Sequence, residues 1–318
     1  MNTSSLVSII CTVFNQEDYV VEALESVKNQ DYQNYELIIL ENGSEDDSAK
    51  LIKKWVAENG TLPIKVIHQK TPLPYCQMFN KGLAISQGKY IMDLSGDDLI
   101  LPGHLTKSVA RLAENPDSGF CFSDVELFKA GQKAEAFYQR DQSGILTQRV
   151  KEGDIYIEIV KGNPILSVSL IFDGEKLKGI GGYDESLVYE DFDVLVRLSR
   201  KFPAVFSNHI GVKKRLHSDS FSYQQYQPKV SKMLPSTLRV CQKIFELNLT
   251  KEENQALLSR AMFEAKHALW SANFEVAQGF LNLAKELGNT GFKYNLFKLW
   301  AKSKVNLSGI YTFLKRQH

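Results

Sequence analysis

Residues 90–105 read YIMDLSGDDLILPGHL. An apolar run ends abruptly in Gly96, Asp97 and Asp98, and Pro102 precedes a stretch of helical spacing. Two adjacent carboxylates at the mouth of a buried strand repel each other and lose hydration. A chain that keeps them there needs a reason, and the neighbouring segments supply the frame for one. Upstream, LVSIICTV (6–13) is a continuous β-branched run, the pattern of a strand covered on both faces. Residues 17–30 carry Val20, Val21, Leu24 and Val27 at helical spacing. YELIIL (35–40) is the next strand, and SEDDSAKLIKKWVAE is a helix with Ser44 as N-cap and acids in its first turn. IKVIH (64–68) is a third strand, YCQMFNKGLAIS (75–86) a helix and KYIMDLS (89–95) a fourth strand. PGHLTKSVARLAEN (102–115) is a helix with Pro102 at its first position. This alternation predicts an α/β fold with a Rossmann-like, mostly parallel, doubly wound sheet. Such sheets bind ligands at the carboxyl ends of their strands. Three polar clusters fall there: Thr12 to Asn15, Glu41 to Ser44, and Ser95 to Asp98.

The chain has 318 residues, enough for more than one domain. With 43% hydrophobic and 24% charged residues it reads as globular, and a net charge of +1 gives no global attraction to nucleic acid. Cysteines at 11, 76, 121 and 241 lack metal-site spacing and read as reduced, buried thiols. The N-terminus lacks a basic leader region and no segment is long enough for a membrane span, so the expected location is cytoplasmic. Residues 116–222 are less regular. SGFCFSDVELF (118–128) suggests one or two strands, SVSLIF (167–172) another, DFDVLVRLSRKF (191–202) a helix and VKKRLH (212–217) a short strand. From about 227 the pattern is helical only. Leu258, Ala261, Met262, Ala265 and Leu269 form one stripe, and Val276, Phe280, Leu283, Ala284 and Leu287 a second. These imply a helical hairpin similar to one tetratricopeptide unit, without a second copy. The expected domains are therefore 1–222 and a helical region, 223–318.

Five ordered pieces carry a family resemblance: VSIICTVFNQEDYVVEALESVKNQ, YELIILENGSEDDS, NKGLAISQGKYIMDLSGDDLILP, GGYDESLVYEDFDVLVRL and RLHSDS. Together they resemble a family 2-type glycosyltransferase with the GT-A fold, over about residues 6–222. The resemblance implies a nucleotide-sugar donor, a divalent metal (Mg²⁺ or Mn²⁺) and inversion at the anomeric carbon. It places Thr12, Phe14 and Asn15 in the nucleoside pocket, where Phe14 stacks on the base or, on the plainer reading, packs under the first helix. Glu41 and Asn42 stand where the family usually carries two aspartates. The Asn42 amide oxygen can still accept a hydrogen bond from the base, although Asn-Gly is also an ordinary turn pair.

The family's DxD motif is reduced here to Ser95-Gly96-Asp97. A carboxylate cannot bind a diphosphate directly, but one holding Mg²⁺ or Mn²⁺ can. Asp97 is then the metal ligand, and Asp98 orients it or caps the following helix. Asn80 falls near the donor by resemblance, or on a solvated helix face. The family match makes Asp191 the catalytic base and puts Glu190 on the acceptor side. Acids in a first helical turn are also stabilising in themselves. Gly181 and Gly182 read as a turn with positive φ. Arg215 suits bidentate contact with the diphosphate. His217 either completes the metal site or is structural, and RLHSDS reads as a lid. The acceptor implied is a glycan or a lipid-linked sugar. A catalytically impaired nucleotide-sugar binding module with a partner-recruiting helical tail is the alternative. The tail, 290–318, interleaves Lys293, Lys298, Lys302, Lys304, Lys315 and Arg316 with aromatics and has no acid. It reads as peripheral contact with the inner face of a membrane, or as aromatics packed on the rest of the tail.

Overall fold

The computed structural model describes residues 5–129, 131–162, 164–217 and 224–315. Its strands are β1 (Val7–Val13), β2 (Tyr35–Glu41), β3 (Ile64–His68), β4 (Tyr90–Ser95), β5 (Leu99–Ile100), β6 (Phe120–Phe128), β7 (Glu135–Ala136), β8 (Ile171–Asp173) and β9 (Ala204–Arg215). The helices are α1 (Val20–Lys28), α2 (Ser48–Glu58), α3 (Tyr75–Ile85), α4 (His104–Glu114), α5 (Tyr156–Gly162), α6 (Gly174–Gly179) and α7 (Asp191–Ser199). Beyond these lie α8 (Met233–Leu247), α9 (Lys251–Trp270), α10 (Phe274–Glu286), α11 (Phe292–Ser303) and α12 (Ser308–Lys315). The chain divides into two compact units. The first comprises Met1–Ile155, Ile165–Ser186 and Arg197–His217; the second comprises Tyr156–Pro164, Leu187–Val196 and Ser218–His318.

The first unit is built on one mixed sheet of order β3-β2-β1-β4-β8-β6-β9-β5, with β7 paired to β6. β1 and β2 are buried at every residue, as their unbroken apolar runs require. β1 pairs in parallel with both β2 and β4. Odd-numbered β1 side chains join Val20, Leu24 and Val27 of α1 in the main core. α3 lies on the other face, where a Cβ on Gly82 would come within 2.8 Å of Ile10 Cγ2 and 3.0 Å of Leu40 Cδ1. The sheet is thus covered on both sides, as the alternation of strand and helix demands.

Register places the polar clusters side by side: Thr12 aligns with Leu40 and with Ser95, and Val13 with Glu41. A second pairing sets the rest of the edge. Short β5 runs antiparallel to β9, with Leu99 opposite Lys213. That draws the end of a strand some 120 positions later in the chain alongside the Asp97-Asp98 turn. β9 is twelve residues long, far longer than the segment 212–217 expected from its charged end. In its first half the apolar Ala204, Val205 and Phe206 give way to buried Ser207 and His209 and exposed Asn208, a polar interruption that hid the strand from a hydrophobicity reading.

Two helix starts differ from expectation. α2 begins at Ser48, not Ser44, because the Ser44 hydroxyl accepts from the Asn15 backbone N–H at 3.1 Å instead. α4 begins at His104, with Gly103 in the left-handed region and Pro102 in the preceding turn. The segment 167–172 is split between a 3-10 turn, Ser167–Ser169, and β8. All four cysteines are buried and free, as expected.

α4 and β9 bury a histidine pair, with His104 Nδ1 3.2 Å from His209 Nε2 and the Ser207 hydroxyl 3.0 Å from His209 Nδ1. Burial pushes His104 down to about 3, with His209 adding to the effect, and His209 down to about 4, with Lys107 adding. Both are neutral at neutral pH. The unfolded chain takes up protons near the ordinary value of 6.5, while the folded chain does not. The pair therefore favours the folded state above 6.5, and that contribution is lost as pH falls toward 4 and 3. The urea midpoint is expected to drop between about pH 7.5 and about pH 5, and less steeply in His209→Gln. Equal slopes in the two proteins would remove this account.

The second unit is helical. α9 is capped by a Thr250–Glu253 capping box and packs on α8, α10 and α11. The apolar stripes of α9 and α10 form its interior, through Ala261, Met262, Ala265 and Leu269 on one helix and Phe280, Leu283 and Ala284 on the other. A buried ion pair, Arg260 Nε to Glu264 Oε1 at 2.8 Å, lies within it, and the Tyr226 hydroxyl donates to Glu264 Oε2 at 3.0 Å.

Candidate active site

The two carboxylates of the opening stretch do different things. Asp98 is buried, and its Oδ1 accepts from the Arg215 backbone N–H at 2.9 Å. Burial pushes Asp98 up to about 7 against the pull of Lys214, with Asp97 raising it further. Asp98 is a staple between the turn and the end of β9. The Asp97 side chain is partly buried, 15% exposed. The Ser95 hydroxyl donates to its Oδ1, and its Oδ2 lies 2.9 Å from His217 Nε2. Gly96 makes this turn possible: a Cβ there would meet Gln16 Oε1 at 2.6 Å and Val13 Cγ2 at 2.9 Å.

Arg215 braces the same corner. Its Nε donates to the Asp97 carbonyl at 3.2 Å and its Nη2 reaches Glu22 at 2.6 Å. The guanidinium is flanked by the Tyr19 and Phe128 rings, each 4.6 Å from Cζ. Tyr19 also contacts the His217 ring, with centroids 5.5 Å apart. In this arrangement the Arg215 side chain holds the turn and the first helix together.

At the end of β1, Phe14 is 43% exposed. The Thr12 hydroxyl is buried without a hydrogen-bond partner among the described residues. Asn15 sits in the left-handed region at φ 51°, and its side chain accepts from the Glu45 N–H at 2.8 Å. A non-glycine residue held there marks a loop fixed by its surroundings. Glu41 is buried, accepting from the Ser44 N–H at 2.6 Å and contacting His68 Nδ1 at 2.5 Å. The Asn42 amide is paired at both ends with the Leu73 backbone, each contact 2.9 Å. Asn80 bonds the Tyr183 backbone twice, at 2.9 and 3.0 Å, and Glu185 Oε1 at 3.0 Å. It ties α3 to the Gly-Gly turn, whose Gly181 and Gly182 have φ of 87° and 67°. Asp93 lies two residues before Ser95 on β4, buried, and receives the Tyr75 and Tyr183 hydroxyls at 2.8 Å. Burial pushes it up to about 6 against those two donors.

In the second unit, Glu190 gives its carbonyl to the Val194 N–H at 3.0 Å, opening α7, and Asp191 Oδ1 accepts from the Phe192 N–H at 2.6 Å. The flanking residues are held from several sides. Ser236 Oγ accepts from the Val188 N–H at 3.0 Å, and the Tyr189 hydroxyl lies 2.7 Å from Thr237 Oγ1. Burial keeps the Tyr189 phenol well above its ordinary value, so it stays protonated. The Arg260 guanidinium lies 4.4 Å from the Phe192 ring centroid, and Lys243 reaches buried Asp193 at 2.6 Å.

Residues 8–157 match the family described as glycosyl transferase family 2. An uncharacterized glycosyltransferase of Haemophilus influenzae is 28% identical over 180 residues, 54% of this chain and 50% of that protein. The chain spans half or less of the length of several curated relatives it matches. Two solved structures share the fold. Staphylococcus aureus TarS 1–349 in complex with UDP-GlcNAc aligns with TM-score 0.65 at 17% identity, over 98% of this chain and 92% of that one. The mannosyltransferase PcManGT from Pyrobaculum calidifontis, in complex with GDP-Man and Mn²⁺, aligns with TM-score 0.61 at 14% identity, over 96% and 86%. The likeness covers nearly the whole chain, and the fold is the GT-A architecture with C-terminal helices.

Within the first unit, Thr12, Phe14, Asn15, Glu41, Asn42, Gly96, Asp97, Arg215 and His217 all fall on the carboxyl edge of the sheet or in the turns beside it. Asn80 lies on α3, against the Gly-Gly turn. Glu190 and Asp191 belong to the second unit. Sequence reasoning did not single out Tyr19 and Glu22, which hold Arg215, nor Asp93, Tyr75 and Tyr183. Tyr19 and Glu22 lie in the first family piece, three residues apart, so helical spacing could have paired them. The second half of the lid expected over RLHSDS, residues 218–220, lies outside the described residues. Among the described residues no group of three or more His, Cys, Asp or Glu is arranged to hold a metal. Asp97 and His217 are a pair, and their donor set of one carboxylate oxygen and one imidazole nitrogen suits Mg²⁺ or Mn²⁺ when a ligand's phosphate oxygens complete the shell.

The contacts behind Asp191 have a measurable consequence. Lys243→Met leaves the Asp193 carboxylate buried without its cation, and is expected to cost about 1–3 kcal/mol of stability. Thermal or urea unfolding checks it; an unchanged midpoint would show the pair to be dispensable.

Proposed function

We propose that the protein is an inverting glycosyltransferase. It moves a hexosyl or N-acetylhexosaminyl group from a nucleotide-diphosphate sugar to an acceptor hydroxyl on a glycan or lipid-linked sugar, in surface glycan or polysaccharide biosynthesis. The observation that carries this reading is the meeting of Asp97 and His217 at 2.9 Å on the carboxyl edge of a family 2 domain. The donors named in the two related structures, UDP-GlcNAc and GDP-Man, support a nucleoside-diphosphate sugar as the ligand class.

Phe14 offers an exposed aromatic face at the end of β1, on which a base can stack for about 1–3 kcal/mol. Glu41 and the Asn15 turn shape the pocket beside it. Asp97 and His217 would hold Mg²⁺ or Mn²⁺, which supplies charge neutralisation for the diphosphate. Arg215 is positioned to fix the Asp97 turn and to meet phosphate oxygens if Glu22 releases it. The acceptor hydroxyl oxygen forms a bond to the anomeric carbon as the bond to the diphosphate breaks. Its proton passes to the Asp191 carboxylate, and the nucleoside diphosphate leaves with the electron pair. One carboxylate base suffices, since no covalent sugar–enzyme intermediate forms. Glu190 shapes the acceptor side.

A thermal-shift series with UDP, GDP and dTDP, each with and without Mn²⁺, tests the ligand class. One nucleotide is expected to raise the unfolding temperature, and to do so mainly with Mn²⁺. No shift with any pair would overturn the reading. The binding-module alternative draws on Asn42, whose amide is paired at both ends, and on Ser95 in place of an acid. Calorimetric binding of a nucleotide sugar with neither hydrolysis nor transfer would favour it.

A further inference from the structure

α11 is apolar on two faces, and the fold uses only one. Tyr294, Phe297 and Ala301 are buried against the helical unit. On the opposite side Phe292, Leu296 and Leu299 are 86%, 51% and 66% exposed. Their spacing of four and three residues sets them in one line along the helix. A helix face turned to water is ordinarily polar, so three large apolar side chains in register imply something that covers them. α12 adds Ile310 and Phe313, 54% and 63% exposed, while its Tyr311 is buried and bonds His267 at 2.9 Å.

The charge around this ridge identifies what covers it. At 100° per residue, Lys293 lies to one side of the ridge and Lys298 and Lys302 to the other, all exposed, with exposed Lys304 at the helix end. Residues 287–318 contain no aspartate or glutamate. A second copy of this chain would set these lysines against their own counterparts, and like charges disfavour that. An anionic lipid surface satisfies both features at once. Its acyl boundary accepts the ridge, while its headgroups accept the ammonium groups at the ends of long, flexible stems. No described helix is long and apolar enough to cross a membrane, so the contact is one of lying on the surface.

We propose that the exposed face of α11, extended by Ile310 and Phe313 of α12, docks on an anionic lipid bilayer. This stands independently of the catalytic reading. The test is flotation of the full chain with vesicles of phosphatidylcholine alone and of phosphatidylcholine mixed with phosphatidylglycerol. The chain is expected to float only with the mixed vesicles, and to be released by high salt. Phe292→Ser, Leu296→Ser and Leu299→Ser combined, and separately Lys293→Glu, Lys298→Glu and Lys302→Glu combined, should each weaken binding at least about tenfold. All six positions are exposed, so the unfolding temperature should stay close to that of the parent chain. Failure of the parent chain to float with mixed vesicles overturns the proposal, as does equal flotation of both variants. Light scattering that shows a dimer in the parent and a monomer in the serine variant would also overturn it, by giving the ridge to a second copy.

Discussion

Asp191→Asn is expected to lower the rate of sugar transfer about a thousandfold and to leave nucleotide-sugar affinity essentially unchanged. A positioned general base contributes about 10²- to 10⁴-fold, and the amide removes only the capacity to take a proton. The substitution is nearly isosteric, and the amide oxygen can still accept from the Phe192 N–H, so α7 keeps its start. The fall therefore appears in kcat, with the donor dissociation constant, measured by calorimetry, held. Glu190→Gln, in the same turn, is expected to change acceptor KM more than kcat. If Asp191→Asn transfers sugar at the parent rate, the proton goes elsewhere and the assignment of the base is wrong.

Asp97→Asn is expected to abolish the Mn²⁺ dependence of donor binding and to reduce transfer by a factor on the order of 10³. An amide is a weak ligand for a hard cation, whereas it can still accept from Ser95 and meet His217 as the carboxylate does. The turn should therefore fold as before, held by Asp98 on the Arg215 N–H and by Gly96 against Gln16. Two measurements separate the metal role from a structural one. The unfolding temperature of the variant without ligand should match the parent, while the Mn²⁺-dependent part of the UDP or GDP shift disappears. A variant that keeps that dependence would show that Asp97 does not hold the cation. His217→Ala should weaken the same dependence less, because the carboxylate remains.

The strand–helix frame was legible because each layer obeys a simple rule. β1 and β2 are covered on both faces and read as unbroken apolar runs; α1 reads as a stripe. The placing of Thr12 to Asn15 and Glu41 to Ser44 at strand ends was legible for the same reason. Helix starts were less so. Ser44 has the chemistry of a cap and Pro102 that of a first helical residue, yet Ser44 is drawn into a loop contact and Pro102 lies in the turn before α4. β9 was underestimated because its first half carries polar residues toward a histidine pair and a polar edge.

Asp97 as an acid at a strand end, His217 after a charged strand and Asp191 at a helix start were all readable as chemical types. Sequence alone thus determined a doubly wound sheet with polar strand ends and a helical tail with lysines and no acids. Tertiary structure decided which of them meet. The two-residue pairing of β5 with β9 sets His217 beside Asp97, and Asp98 becomes a buried staple while its neighbour is only partly buried. It also decided that Leu187–Val196, with Asp191, packs among the C-terminal helices and that α11 leaves an apolar face uncovered. Periodicity reports which side of an element is buried; it is blind to partners a hundred residues away, because their meeting depends on register and packing summed over the whole chain.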